Sequence, residues 1–120
     1  MAHILLVEDN IAMQTLLRDM LERGGHQVAL GRTGEEALEV LEHCSELPEL
    51  IVSDLNMPRM DGIELLGVVR HNPQWNAVRF IMMTANTYDD RINPETTQYL
   101  DGVLPKPFGL EDLASLLNKV

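Results

Sequence analysis

Glu8 and Asp9, Asp54, Thr84 and Lys106 each follow a short apolar run. His3-Ile4-Leu5-Leu6-Val7 leads into the acid pair, Leu50-Ile51-Val52-Ser53 into Asp54, Phe80-Ile81-Met82-Met83 into Thr84, and Gly102-Val103-Leu104-Pro105 into Lys106. If these runs are parallel strands, their polar ends share one edge of a sheet. Open α/β sheets carry their sites along that edge. Carboxylates a few ångströms apart disfavour full ionisation, so a cation must compensate them. The two candidates are a divalent metal and Lys106. An all-oxygen donor set without histidine or cysteine favours Mg²⁺ or Mn²⁺. A metal, an ammonium and a hydroxyl around one carboxylate match the needs of phosphoryl transfer, in which charge grows on the phosphoryl oxygens. The central carboxylate, Asp54, would be the nucleophile and form an acyl phosphate.

Taken singly, these residues have plain structural uses: an Asp caps a helix, a Thr packs in a strand, a Lys sits on the surface. Their joint occurrence, in order and after the right runs, is what points to chemistry. The four histidines, His3, His26, His43 and His71, include no two spaced like metal ligands.

The elements that must position this set alternate along the chain. Met13, Leu16, Leu17, Met20 and Leu21 repeat at helical spacing, with Asn10 as cap and Gly24-Gly25 as stop. Gln27-Val28-Ala29-Leu30 reads as a second strand. Thr33 with Glu36 forms a capping-box pattern ahead of a stripe of Ala37, Val40, Leu41 and Cys44. Asp61 with Glu64 repeats that pattern before Leu65, Leu66 and Val69, and His71-Asn72-Pro73 ends the third helix. Pro94 would cost several kcal/mol inside a regular helix, which predicts a fourth helix that is short, late or kinked, most economically started near Asn93 with Pro94 in its first position. The last helix follows Phe108-Gly109 and places Leu110, Leu113, Leu117 and Val120 on one face. The order is βα five times over, which predicts a parallel sheet covered on both faces.

The chain has 120 residues and a formal net charge of −10, with 45% apolar residues. That length suits one domain, here residues 1–120, with a core large enough to fold without metal or disulfide. The acidity disfavours nucleic acid and anionic membrane surfaces as partners. The single cysteine, Cys44, sits at an apolar helical position and reads as a buried thiol, consistent with a reducing compartment. With no signal peptide and no bilayer-length apolar stretch, a cytoplasmic location is expected.

Leu6-Val7-Glu8-Asp9-Asn10, Ser53-Asp54-Leu55-Asn56-Met57-Pro58-Arg59-Met60-Asp61-Gly62, Met83-Thr84-Ala85 and Leu104-Pro105-Lys106-Pro107-Phe108 together resemble the four signatures of two-component response regulator receiver domains. The likeness spans essentially the whole chain. It implies an α/β, (βα)₅ doubly wound parallel five-stranded sheet of order 2-1-3-4-5, the flavodoxin-like receiver fold. It implies that Asp54 is phosphorylated by a sensor histidine kinase or a histidine phosphotransfer protein. Asp9, Asp54 and the backbone carbonyl of Asn56 would hold Mg²⁺, with Glu8 reaching it through water. Lys106 would pair with Asp54 and then with the phosphoryl group. Thr84 would swing in to bind a phosphoryl oxygen. A cis Lys106–Pro107 bond would aim the ammonium into the crevice. The resemblance also implies a switch, not an enzyme, whose output is a contact with a downstream protein or a homodimer.

This sequence departs from the pattern at three positions. Val103 replaces the usual aromatic, so no ring can rotate to report the switch. Pro94 alters the fourth helix, part of the face that commonly meets partners. Pro105 sits in the fifth strand, which is tolerable on an edge. Asn56 and Asn86 occupy positions that tune phosphoryl loss in such domains, and two neutral amides imply an intermediate lifetime. Two other readings are a degenerate receiver that serves only as an interaction surface, and a phosphohydrolase of the haloacid dehalogenase type. The intact Glu8, Asp9, Asp54, Thr84 and Lys106 argue against the first. The second wants an acid two residues after its nucleophile, where this chain has Asn56.

Overall fold

The structure is a computed structural model and describes residues 2–117. Five βα units follow one another: β1 (His3–Val7), α1 (Ile11–Arg23), β2 (Gln27–Gly31), α2 (Gly34–His43), β3 (Leu50–Asp54), α3 (Gly62–His71), β4 (Arg79–Thr84), α4 (Pro94–Thr97), β5 (Gly102–Pro105) and α5 (Leu110–Leu117). All strand pairs are parallel, in the order β2-β1-β3-β4-β5. The fold is the flavodoxin-like one. The strand sequences explain who sits where. β3 and β4 are apolar almost throughout and are buried along their length, whereas Gln27-Val28-Ala29-Leu30-Gly31 and Gly102-Val103-Leu104-Pro105 are half-covered edges. Pro105 cannot donate to a ladder and lies on the β5 edge, where no strand needs its missing N–H.

Alternation along the strands builds two half-cores. Leu5, Val7, Ile51, Phe80 and Met82 meet Ala37 and Leu41 of α2 and Leu65, Leu66 and Val69 of α3. On the opposite face Ile4, Leu6, Val52, Ile81 and Met83 meet Leu17 and Leu21 of α1 and Leu113 of α5. Burial of side chains of this size contributes roughly 1.5–3 kcal/mol each. Among the described residues no helix is long and apolar enough to cross a membrane.

Caps set most of the helix starts. Asn10, Asp61 and Asn93 accept from the backbone N–H three residues on, and Asp61 with Glu64 closes a full capping box. α4 is one turn long and begins at Pro94, as the proline requires. Three expectations need correction. Thr33 caps α2, but Glu36 reaches back to the Arg32 N–H (3.0 Å), so the box is only half formed. Leu16 is exposed, and Gln14 takes the inward position, where its Nε2 donates to the carbonyls of Glu8 and Gly31 at the ends of β1 and β2 (both 3.3 Å). Cys44 is half-buried at the C-cap of α2, its Sγ donating to the Leu41 carbonyl. In α5 Leu113 is buried and Leu110 and Leu117, half-covered, pack on the same cluster, as their shared face predicts; Val120 lies outside the described residues.

Candidate functional site

Register places the polar strand ends side by side. Val7 pairs with Ser53, Asp54 with Met83 and Thr84 with Pro105, so Glu8, Asp54, Thr84 and Lys106 line the carboxyl edge of neighbouring strands. β1 is flanked by β2 on one side and β3 on the other. The crossovers reverse direction there, which opens the crevice that such sheets use.

Glu8 is fully buried, Asp54 nearly so, and Asp9 faces solvent. One carboxylate oxygen from each of the three lies within 4.8 Å of the others. Lys106 bridges the two buried acids, with Nζ 2.9 Å from Glu8 Oε1 and 3.0 Å from Asp54 Oδ2. The second Glu8 oxygen accepts from the Asn10 N–H at 3.1 Å. Burial is the main force lifting the Glu8 carboxyl above the ordinary glutamate value. The bonds from Lys106 and Asn10 oppose that rise, and the Asp54 charge adds to it. For Lys106, burial pulls downward, but hydrogen bonds and charge from Glu8 and Asp54 outweigh it and hold the ammonium above its usual range. The Lys106–Pro107 peptide bond is cis.

Thr84 is buried and turned toward its own loop. Its Oγ1 donates to the Asn86 carbonyl (3.1 Å) and accepts from the Asn86 N–H (3.0 Å). Val103 lies half-buried beside Met82 on β5. The Asn56 N–H points at Asp54 Oδ1 from 3.4 Å. Gly62 at the start of α3 is where only hydrogen fits: a Cβ there would stand 2.5 Å from the Asp54 carbonyl oxygen and from Met82 Sδ. The loop carrying Asn56 can therefore fold flat against the end of β3.

Sequence reasoning missed three contributors. Gln14 ties the backbone beneath Glu8. Arg59 adopts a left-handed conformation (φ 67°) and pairs with Glu35 at 3.0 Å. Arg91, in the loop after β4, reaches across the cleft mouth: its Nη2 donates to Asn56 Oδ1 and its Nη1 to Asp61 Oδ2 (3.5 Å). Asp89 beside it in sequence was a signal for a local ion pair. Nothing in the sequence brings Asn56 to the same guanidinium. The mouth encloses about 430 Å³ between Asp9, Asn56, Asp61, Glu64 and Arg91.

A family model described as "Response regulator receiver domain" matches residues 4–118. A probable chemotaxis protein CheY of Rhizobium etli is 33% identical over 119 residues, covering 98% of this chain and 90% of that protein. The chemotaxis response regulator CheY4 of Vibrio cholerae superposes with a TM-score of 0.80 at 31% identity, over 99% of this chain and 98% of that one. A receiver domain of a sensor histidine kinase from Pseudomonas aeruginosa, described with a magnesium ion coordinated in its active-site cleft, gives a TM-score of 0.84 at 32% identity. It covers 98% of this chain and 95% of its own.

Proposed function

Because this chain belongs to the response regulator receiver domain family, we propose that it accepts a phosphoryl group on Asp54 in a Mg²⁺-dependent phosphorelay and so switches a binding surface. We propose also that residues 1–120 act as one receiver unit. The observation that carries this reading is the meeting of Asp54 with Lys106 inside a cluster of three carboxylates at the sheet's carboxyl edge. Asp9, Asp54 and the Asn56 carbonyl, with Glu8 through water, are the oxygens that would hold the ion. Such hard, sparse oxygen sets suit Mg²⁺, and Mn²⁺ is a workable substitute. Bound there, Mg²⁺ offsets phosphoryl charge.

The chain's own groups do the rest. An Asp54 carboxylate oxygen attacks the phosphorus of a phosphohistidine. The P–O bond forms as the P–N bond breaks, and the imidazole leaves with the electron pair. Lys106 moves its ammonium from Asp54 toward a phosphoryl oxygen, and Thr84 exchanges the Asn86 carbonyl for another. The donor is a sensor histidine kinase or a histidine phosphotransfer protein, and the output is a contact with a downstream protein or a second copy. A cytoplasmic setting and the absence of direct nucleic-acid or membrane binding complete the proposal. The protein turns over no substrate but its own aspartyl phosphate.

Acetyl phosphate with Mg²⁺, followed by intact mass, tests this. One phosphoryl adduct should form, vanish with Asp54→Asn and fail to form in EDTA. No adduct on the folded protein, or steady release of phosphate from simple esters, would overturn the reading.

A further inference from the structure

Arg91 has no part in the chemistry above, yet it is held more firmly than a loop arginine needs to be. Asp89 grips its fork on two sides, Oδ1 to Nε at 3.0 Å and Oδ2 to Nη2 at 2.9 Å, and Asp89 Oδ1 also accepts from the Arg91 N–H at 2.9 Å. The hydrogen bonds from Arg91 hold the Asp89 carboxyl down at about 2, so the carboxylate that grips Arg91 is charged throughout the neutral range. Two further guanidinium donors reach the opposite bank of the cleft, one to Asn56 Oδ1 and one to Asp61 Oδ2.

A guanidinium can only donate. It therefore settles which end of the Asn56 amide it meets: the carbonyl oxygen faces Arg91. The amino end is what remains for a phosphoryl oxygen or an approaching water. That matters for hydrolysis of an aspartyl phosphate. Water oxygen attacks phosphorus, the P–O bond to Asp54 breaks, and the carboxylate leaves with the electron pair. One water proton stays on the new phosphate oxygen and the other passes to solvent. A nearby carbonyl helps, because it accepts a hydrogen from the water and turns a lone pair toward phosphorus. An amino group donates to the water and occupies that lone pair instead.

We infer that Arg91 is a positioning residue for Asn56, locking its amide with the carbonyl turned away from the acceptor and so prolonging the phosphorylated state of Asp54. This rests on the phosphoacceptor reading above and adds to it a control of lifetime. An ordinary surface ion pair would hold the loop and nothing more.

The test is a double-mutant cycle on the full chain. Wild type, Arg91→Ala, Asn56→Ala and the double variant are labelled with acetyl phosphate and Mg²⁺, the donor is removed, and loss of the adduct is followed by intact mass. Arg91→Ala should shorten the lifetime about fivefold, the rate equivalent of one ordinary hydrogen bond. Asp89→Asn, which loosens the grip without touching Asn56, should shorten it in the same direction. In the Asn56→Ala background the Arg91 substitution should have no further effect, whereas Arg91→Lys, still a pure donor, should recover part of the wild-type lifetime. An unchanged lifetime in a normally labelled Arg91→Ala protein overturns this inference alone. So does an equal Arg91 effect with and without the Asn56 side chain. A wild-type protein that takes no label overturns the phosphoacceptor reading and this inference with it.

Discussion

Lys106 and Glu8 form the more enclosed of the two ion pairs in the cleft: Nζ and Oε1 stand 2.9 Å apart, and the Glu8 side chain has no solvent contact. The same ammonium serves Asp54, so one positive charge holds two buried negative ones. Removing it leaves both acids uncompensated, which costs about 3–5 kcal/mol in a closed interior and less where a cleft admits water. Lys106→Met should therefore destabilise the protein in urea titrations and reduce labelling by acetyl phosphate. A divalent cation should offset part of that loss, so Mg²⁺ should raise the melting temperature of Lys106→Met more than that of wild type.

The pH dependence follows from opposite shifts in charge cost. The Glu8 carboxyl is raised, chiefly by burial, so between the ordinary glutamate value and its own the folded state holds a proton that the unfolded state has released. Its contribution to stability accordingly falls as pH rises through that window and recovers on acidification. Glu8→Gln carries no such charge. Its stability relative to wild type should improve with rising pH across the window, read as a series of urea midpoints. Lys106 is raised despite burial, because Glu8 and Asp54 hold its proton. Its contribution is complete below the unfolded lysine value and is lost as pH rises through the folded one, so wild type should show an alkaline decline that Lys106→Met lacks.

Gly62→Ala should damage the site through the backbone. The added methyl would meet the Asp54 carbonyl oxygen and Met82 Sδ at 2.5 Å and Leu55 Cα at 3.1 Å. Met82 can yield, but two of the three obstacles are main chain. The Gly62 N–H to Leu55 carbonyl bond (2.8 Å) would have to lengthen. Overpacking of this kind costs about 1–3 kcal/mol. A lower denaturation midpoint together with slower labelling of Asp54 is the expected result, whereas a purely structural glycine would change only the midpoint.

Much of this was legible because local rules and global packing agree here. Apolar runs ending on Glu8, Asp54, Thr84 and Lys106 give both the strands and the edge on which chemistry collects, and Pro94 sets where α4 starts. The misplacing of Leu16 and the missing of Arg91 share one cause. Helical spacing cannot tell Leu16 from Gln14 as the inward residue, because Gln14 is buried for the carbonyls of Glu8 and Gly31, which belong to two other strands. Arg91 was invisible for the same reason: its partner Asn56 is 35 residues away, joined to it only by the tertiary fold. The sharing of Lys106 between Glu8 and Asp54 likewise depends on distances across three strands that no spacing encodes.

Thr84 offers the sharpest test of how a switch could operate without a rotating aromatic at Val103. Its hydroxyl closes a two-bond ring with Asn86, donating to the carbonyl and accepting from the N–H. Reaching a phosphoryl oxygen means breaking that ring. The Asn86 N–H then loses its partner, and its carbonyl keeps only the Asp89 N–H (3.2 Å), at the start of the loop that carries Asp89 and Arg91. Thr84→Val keeps the shape and removes the hydroxyl, at a cost of about 1 kcal/mol for the lost bonding. In hydrogen exchange, residues 86–92 of the unlabelled variant should exchange faster than in wild type, because their local opening becomes easier. Labelling wild type at Asp54 should quicken exchange in the same segment. Labelling Thr84→Val should change it little, since the ring is already open. Equal responses in the two proteins would show that the loop reads the phosphoryl group by a route independent of Thr84.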